Sequence, residues 1–238
     1  MPSRPVIRWG LGDVLIGLAL WVVGGVIAAF ILLASDSIEA STTDLGLGAL
    51  ALSLIAGWPG FVGWTVVATY WKGQRSLVRD FGLSIRSIDV AWGLLGGLVA
   101  LVVSAIGGIV WVIISGESAP TNTDIIPVRP SAFTAIAVLL LIGVCTPIVE
   151  ELFFRGLFLR SAGRRWNLTV GVIVSSLVFG LFHWQGETLA QGLFMVGVTA
   201  SYGAVFALLV VRAEGRLGPS ITAHMVVNLV GVAAALWL

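Results

Sequence analysis

Charged residues are scarce in this chain. Aspartate, glutamate, lysine and arginine together make up 11% of its 238 residues, whereas soluble domains carry about 25%. Hydrophobic residues make up 58% of the sequence, and the mean hydropathy is +1.05. This composition excludes an ordinary soluble protein, and the polar intervals are too short to form a separate soluble core. We therefore expect residues 1–238 to form a single integral membrane domain.

Cysteine and net charge are also nearly absent. Cys145 is the only cysteine, so an intrachain disulfide is excluded. The formal net charge is +1, which gives no bulk attraction toward nucleic acid. We therefore expect the lipid bilayer, and no nucleic acid, among the partners of this protein.

Long apolar segments account for most of the sequence. Seven of them reach the length of about 20 residues that is needed to cross a bilayer. Apolar runs of this length must be helical, because lipid offers no hydrogen-bond partner to the backbone. We predict an all-α, polytopic transmembrane helical bundle of about seven spans. The segments are Val14–Ala34, Leu45–Tyr70, Val90–Ser115, Ala132–Phe158, Leu168–Trp184, Leu189–Arg212 and Leu217–Leu238.

The basic residues indicate an orientation. They concentrate before the first span and in every second loop after it, whereas the first and fifth loops carry only acids. Cytoplasmic loops are enriched in lysine and arginine. We therefore predict a cytoplasmic N-terminus. The short loops suit a bacterial inner-membrane protein.

Two glycines in the third span indicate helix packing. Gly93 and Gly97 are four residues apart and predict a close approach to another helix.

Ionisable residues inside the apolar segments are the functional candidates. Glu150, Glu151 and Arg155 lie in the fourth segment, and the only two histidines, His183 and His224, lie in the fifth and seventh. An ionisable side chain in hydrocarbon costs at least about 2.5 kcal/mol, so such residues are usually retained for function.

Their spacing predicts which of these residues meet. Glu151 and Arg155 are four apart with the glutamate first, the favourable order for a helical ion pair. This pairing would leave Glu150 free. In an antiparallel hairpin that turns near residue 165, Glu150 lies at the depth of about residue 180, within one helical turn of His183. A contact between Glu150 and His183 is therefore expected.

Two further features complete the predicted site. His224 and Asn228 are four apart and share a helix face. Pro147 lacks a backbone donor and tends to kink its helix, which would open a cavity beside Glu150. A carboxylate and an imidazole that share a water molecule are suited to general base catalysis, and a second imidazole with an amide can stabilise an oxyanion. Cys145 has no positioned base.

The same residues resemble three motifs of a known family. These are the motifs of the CAAX protease and bacteriocin-processing (CPBP) family of intramembrane endopeptidases, which includes the type II CAAX prenyl proteases. The resemblance covers about residues 146–228, and the first three spans carry no such motif. The matching residues read Glu150-Glu151-x-x-x-Arg155, Phe179-x-x-x-His183 and His224-x-x-x-Asn228.

The resemblance implies hydrolysis of a peptide bond in a membrane cavity that opens to the cytoplasm. The substrate would be a peptide or membrane protein, with or without a prenylated CAAX-type end. Glu150 would act as general base, assisted by His183, while His224 and Asn228 would stabilise the oxyanion. The supporting residues would be Glu151, Arg155 and Phe179.

Three alternatives remain open. No cofactor is expected, but Glu150, His183 and His224 could form a zinc site, although the sequence has no His-Glu-x-x-His pattern. A non-catalytic immunity or regulatory protein of the same family would bind a peptide or partner in the cavity. A proton-coupled transporter would use the same residues as a relay, but the chain shows no internal repeat.

Overall fold

The described part of the chain, residues 7–35, 46–123, 126 and 130–237, folds into helices without strands in the computed structural model. The predicted all-α class is therefore confirmed. Several charged residues used for the orientation, namely Arg4, Arg129 and the acids of the first loop, lie outside the described residues, as does Leu238.

Eight helical elements follow one another along the described residues. Six of them, all except α3 and α6, are long and apolar enough to cross a membrane, in rough agreement with the seven predicted spans. The elements are α1 (Leu11–Ala34), α2 (Leu47–Lys72), α3 (Leu77–Phe81), α4 (Ser87–Ser115), α5 (Ala132–Arg165), α6 (Leu168–Leu181), α7 (Leu189–Arg212) and α8 (Gly218–Trp237).

The fifth predicted segment forms a helix that is shorter than a full span. α6 has 14 residues and is therefore about 21 Å long, whereas the hydrocarbon core is about 30 Å thick. The chain leaves the helix after Leu181 and turns through residues 182–188 before α7 begins. His183 lies in this turn. The early end of α6 therefore places His183 off the helix.

Most of the basic residues meet at one end of the bundle. Lys72 at the end of α2 pairs with Asp13 of α1 at 2.8 Å, and Arg216 before α8 pairs with Asp89 of α4 at 2.9 Å. Trp9 accepts a hydrogen bond at its carbonyl from Arg164 of α5 at 2.6 Å. We call this the basic end. It holds Arg8, Lys72, Arg75, Arg79, Arg86, Arg160, Arg164, Arg165, Arg212 and Arg216.

The other end of the bundle, called the opposite end below, follows from the alternating direction of the helices. α1, α4 and α8 finish there, and α2, α5 and α7 begin there. The second half of α5 packs near the basic end in an aromatic core. Phe61 of α2 stacks on Phe153 at 4.4 Å, and Phe154 meets Phe179 of α6 edge-on at 5.1 Å. Such pairs add to the stabilisation that burial provides.

Small residues allow α4 and α8 to approach closely, as the spacing of Gly93 and Gly97 predicts. A Cβ atom at Gly93 would overlap the side chain of Thr222 and lie 2.8 Å from the Pro219 carbonyl oxygen. A Cβ atom at Gly97 would lie 2.7 Å from the Cβ atom of Val226. The contact therefore positions α8, which carries His224 and Asn228.

We expect Gly93→Ala to destabilise the protein by about 1–3 kcal/mol, because overpacking displaces neighbouring atoms. Gly107→Ala on the same helix is the matched control, since its new Cβ atom would make an ordinary contact of 3.5 Å with Val198. Alanine is the better helix former by up to about 1 kcal/mol, so the control should keep or gain stability. Thermal unfolding in detergent, followed by tryptophan fluorescence, measures both. Equal melting temperatures for the two variants would contradict the prediction.

Candidate active site

The backbone of α5 is irregular on both sides of the two glutamates. π-Helical segments occupy Leu141–Cys145 and Leu152–Phe158, and such segments occur often at functional sites. In the first segment, the Thr146 N–H donates to the carbonyl of Leu141, five residues back. The next donor in this pattern would be residue 147, which is proline and has no N–H.

This missing donor has a consequence for Asn228. Pro147 cannot donate a hydrogen bond to the Ile142 carbonyl. This carbonyl instead accepts one from Nδ2 of Asn228 at 2.9 Å. The irregularity that Pro147 predicts therefore takes the form of a π-helical segment, and it fixes a side chain of α8. An amide nitrogen has two N–H donors, so Asn228 keeps a second one.

Glu151 connects α5 to α8. Its Oε1 atom accepts hydrogen bonds from Nη1 of Arg155 at 3.0 Å and from Nδ1 of His224 at 3.1 Å. Its Oε2 atom accepts one from the hydroxyl of Ser220 at 2.6 Å. The side chains of Glu151 and Arg155 are both fully buried. This carboxylate is therefore committed to protein partners.

Arg155 is enclosed by aromatic rings and a backbone carbonyl. Its guanidinium lies 4.4 Å from the ring centre of Phe179 and 5.4 Å from that of Phe206, within the range of cation–π attraction. Nη2 donates to the Gly203 carbonyl oxygen at 3.0 Å. A Cβ atom at Gly203 would lie 3.2 Å from Nη2, so glycine permits this close approach.

Glu150 has different surroundings from its neighbour. Its side chain is 17% exposed. Its Oε2 atom is buried and has no hydrogen-bond partner among the described residues. The closest ionisable contact of Oε2 is Nε2 of His224 at 3.8 Å, which is too long for a hydrogen bond. At Oε2, Glu150 therefore lacks the protein hydrogen bonds that hold Glu151, and its partly exposed side chain lines the cavity described below.

The backbone fixes the tautomer of His183. Nδ1 lies 2.8 Å from the Phe179 carbonyl oxygen, and a carbonyl only accepts hydrogen bonds, so Nδ1 carries the proton. In the neutral ring, Nε2 then presents a lone pair. The ring lies 4.6 Å from that of Phe179. His183 is thus held as a hydrogen-bond acceptor.

His224 is held between a carboxylate and aromatic rings. Nδ1 donates to Glu151, and the ring stacks on Phe206 at 4.9 Å. Phe179 contacts the same ring edge-on at 5.7 Å. Nε2 is the atom that faces Glu150. By holding Nδ1, Glu151 therefore determines that Nε2 of His224 faces Glu150.

One cavity of about 660 Å³ joins the predicted residues. The structure brings Glu150, His183, His224 and Asn228 to its wall together with Phe179. Glu151 and Arg155 lie behind the wall, as a supporting ion pair would. The expected contact between Glu150 and His183 is not direct. The two residues share the cavity, but within the described residues the ionisable neighbour of Glu150 is His224.

Four groups at the site were not predicted from the sequence. Ser220 lies four residues before His224 and so shares its helix face, which was an available signal. Phe206, which stacks on the same histidine, looks like any core residue in a sequence. The carbonyls of Ile142 and Gly203 give no sequence signal, because every residue has one.

The alternative zinc site can be compared with this geometry. Zinc needs three or more nitrogen, sulfur or oxygen ligands around one point. In the described ranges, no group of three His, Cys, Asp or Glu side chains comes close enough together to hold a metal ion. Glu150, His183 and His224 line one cavity without forming such a group. No step below depends on a metal.

Replacing Arg155 by methionine is expected to destabilise the protein by about 3–5 kcal/mol, because it leaves the buried carboxylate of Glu151 without its countercharge. Removing both charges, in Glu151→Met/Arg155→Met, should cost less than the sum of the two single changes. Arg165→Met on the same helix is the control, since Arg165 is exposed and surface changes stay within about 0.5 kcal/mol. Thermal unfolding of the wild type, Glu151→Met, Arg155→Met and the double variant gives the coupling, with Arg165→Met measured beside them. If the stability lost in the double variant equals the sum of the two single losses, the interaction between Glu151 and Arg155 does not stabilise the protein.

Comparison with known proteins agrees with the motifs. The family model described as Type II CAAX prenyl endopeptidase Rce1-like matches residues 132–230, which include every residue of the candidate site. Searches of curated proteins and of solved structures gave no significant match. Residues 132–230 of this membrane protein therefore match the Rce1-like family of type II CAAX prenyl endopeptidases, in agreement with the resemblance that the motifs carry.

Proposed function

We propose that this chain is an intramembrane endopeptidase in which Glu150 activates the attacking water. The family supports a CAAX-type membrane endopeptidase, and the residues of this chain support the finer assignment. The observation that carries it is the contrast between two adjacent carboxylates. Glu151 is fully hydrogen-bonded to protein groups, whereas Glu150 lines the cavity, is partly exposed and has an oxygen without a hydrogen-bond partner among the described residues.

In the proposed first step, a water molecule lies between Glu150 and the scissile carbonyl. Glu150 accepts a proton from this water as the oxygen attacks the carbonyl carbon, in the manner of a general base. Nε2 of His183, which carries a lone pair because Nδ1 donates to Phe179, accepts the second hydrogen of the water and orients it. The result is a tetrahedral intermediate with one negative oxygen.

His224 and Asn228 are positioned to stabilise that oxyanion. Asn228 has one amide hydrogen engaged with Ile142 and a second one to donate. His224 must carry both ring protons to donate from Nε2, because Nδ1 already donates to Glu151. Preorganised donors of this kind contribute about 2.7–4 kcal/mol each in comparable sites. The C–N bond then breaks as Glu150 returns its proton to the leaving nitrogen.

Glu151 and Arg155 would act through their effect on His224. The carboxylate holds Nδ1 of the imidazole and balances the charge of a doubly protonated ring, while Arg155 balances the carboxylate. Ser220 and Phe206 complete the surroundings of this group. The pair therefore positions a catalytic residue without touching the substrate.

The cavity also fits a peptide substrate. Its volume of about 660 Å³ lies within the range of about 300–1,000 Å³ that is typical of ligand sites. Its wall combines apolar side chains with the polar groups of the proposed site. The peptide of a membrane-associated protein, prenylated or not, is therefore the proposed substrate class.

We expect Glu150→Gln to reduce cleavage by about 10²–10⁴-fold, the contribution of a general base, with little change in melting temperature. The probe is a quenched fluorescent peptide that ends in a farnesylated CAAX sequence, with the same peptide lacking the farnesyl group assayed in parallel. Glu187→Gln is the matched control, because Glu187 is exposed in the turn before α7. Cleavage by Glu150→Gln at the wild-type rate would contradict the role of Glu150, whereas no cleavage by the wild-type protein would favour a non-catalytic binding protein.

Cleavage is expected to continue when the purified protein is treated with 1,10-phenanthroline, because the proposed steps use only protein groups and water. A zinc metalloprotease treated in the same way is the control for the chelator. Loss of cleavage that added zinc restores would overturn the metal-free mechanism. That result would favour the zinc alternative, with Glu150, His183 and His224 as the ligands.

A further inference from the structure

A second cavity lies at the basic end of the bundle, apart from the candidate active site. Its volume is about 450 Å³, which is typical of a ligand site. Its wall comes from α3, the end of α5, the start of α6 and the end of α7. On α7 it is lined by Val210 and Val211, whereas the active-site cavity is lined by residues between 194 and 202, nearer the opposite end. We call this second cavity the basic cavity.

Three arginines line the basic cavity, namely Arg79 of α3 and Arg160 and Arg164 of α5. Arg160 and Arg164 are four residues apart, so they lie on one helix face, where two like charges repel each other. Within the described ranges, none of the three arginines forms an ion pair with an acidic side chain. An anion bound between them would relieve this repulsion.

Two acidic residues in the same wall do not take the place of such an anion. Asp80 is buried, and its two oxygens accept hydrogen bonds from Nε1 of Trp9 at 3.1 Å and from the backbone N–H of Gln74 at 2.8 Å. It therefore acts on the arginines only from beyond ion-pair distance. Glu214 is exposed. Three arginines and two acids leave the wall with one net positive charge.

Contacts with the backbone hold two of the guanidinium groups in place. Nη2 of Arg160 donates to the Gly215 carbonyl. Nη2 of Arg164 donates to the Trp9 carbonyl oxygen at 2.6 Å, and the guanidinium of Arg164 lies 3.6 Å from the ring centre of Trp9. A guanidinium has five N–H donors in a fork that matches phosphate oxygens, so each group keeps donors beyond these contacts. Arg79 and Arg164 are exposed, so a ligand can reach both.

Apolar side chains form the rest of the wall. Leu159 and Val210 are buried, whereas Leu168 and Val211 are exposed. Basic pockets between membrane helices bind the headgroups of anionic lipids. A free phosphate ion would need only the arginines, whereas a phospholipid also needs an apolar surface for its acyl chain. The combination of arginines and exposed apolar side chains in one wall therefore favours a phospholipid.

We propose that the basic cavity binds an anionic phospholipid. The phosphate accepts hydrogen bonds from Arg160 and Arg164, with Arg79 beside it, and an acyl chain follows Leu168 and Val211. Because Arg160 also contacts the turn before α8, the bound lipid strengthens the packing of α5 against that turn. The cavity is separate from the candidate active site, so this inference goes beyond the proposed function and does not depend on it.

The test is the dissociation constant of phosphatidylglycerol for the whole protein in an uncharged detergent, measured by native mass spectrometry. We expect phosphatidylglycerol to bind more tightly than phosphatidylcholine with the same acyl chains. Arg164→Gln should weaken phosphatidylglycerol binding by about fivefold, the contribution of one basic residue beside an anionic lipid. Arg165→Gln is the matched control, because Arg165 is exposed beside Arg164 but does not line the cavity. It should leave the dissociation constant unchanged.

Arg79→Gln keeps the inference testable if Arg164→Gln loses stability together with its contact to Trp9. Arg79 is exposed, and its replacement should also weaken phosphatidylglycerol binding more than Arg165→Gln does. Thermal unfolding gives a second readout, because a ligand that binds only the folded protein raises its melting temperature. Equal binding of the two lipids, or equal effects of the cavity variants and Arg165→Gln, would overturn the inference.

Inorganic phosphate distinguishes the two sources of the anion. At the same concentration as the lipid, it should not displace phosphatidylglycerol, because it has no acyl chain to contact Leu168 and Val211. Displacement by phosphate alone would show that the cavity takes a free anion, and it would overturn the assignment to a lipid.

Discussion

The buried ion pair between Glu151 and Arg155 is the interaction on which the rest of the site depends. Neither side chain is exposed, so each charge is tolerated only because the other lies 3.0 Å away. The carboxylate has further capacity to accept hydrogen bonds, which Ser220 and His224 use. The pair therefore joins α5 to α8 and orients His224, although it lies behind the cavity wall.

A second constraint comes from the backbone of α5. Adjacent residues on a helix point about 100° apart, so Glu150 and Glu151 cannot share one environment. Because Pro147 has no N–H, the Ile142 carbonyl lacks a backbone donor, and Asn228 donates a hydrogen bond to it instead. A buried polar group without a partner would cost about 1–3 kcal/mol. The same contact thus satisfies the irregular helix and holds an amide at the cavity, which couples the stability of α5 to the geometry of the proposed oxyanion donors.

Much of this architecture was predictable because its causes are local. Helical spans follow from segment length, since backbone groups in lipid must be paired within the segment. The contact between Glu151 and Arg155 follows from their separation of four residues, and the close approach at Gly93 from the absence of a side chain. The early end of α6 was not predicted, because its apolar residues continue to Trp184 while the helix stops at Leu181.

The sequence by itself determined the fold class, the ion pair within α5 and four polar residues that line the cavity, Glu150, His183, His224 and Asn228. Only the tertiary structure decided that Glu150 faces His224 and that Ser220 and the Gly203 carbonyl complete the buried network. Each of these depends on how helices distant in the sequence are placed against one another. Spacing along one helix specifies a face, but the partner of that face is set by packing between helices.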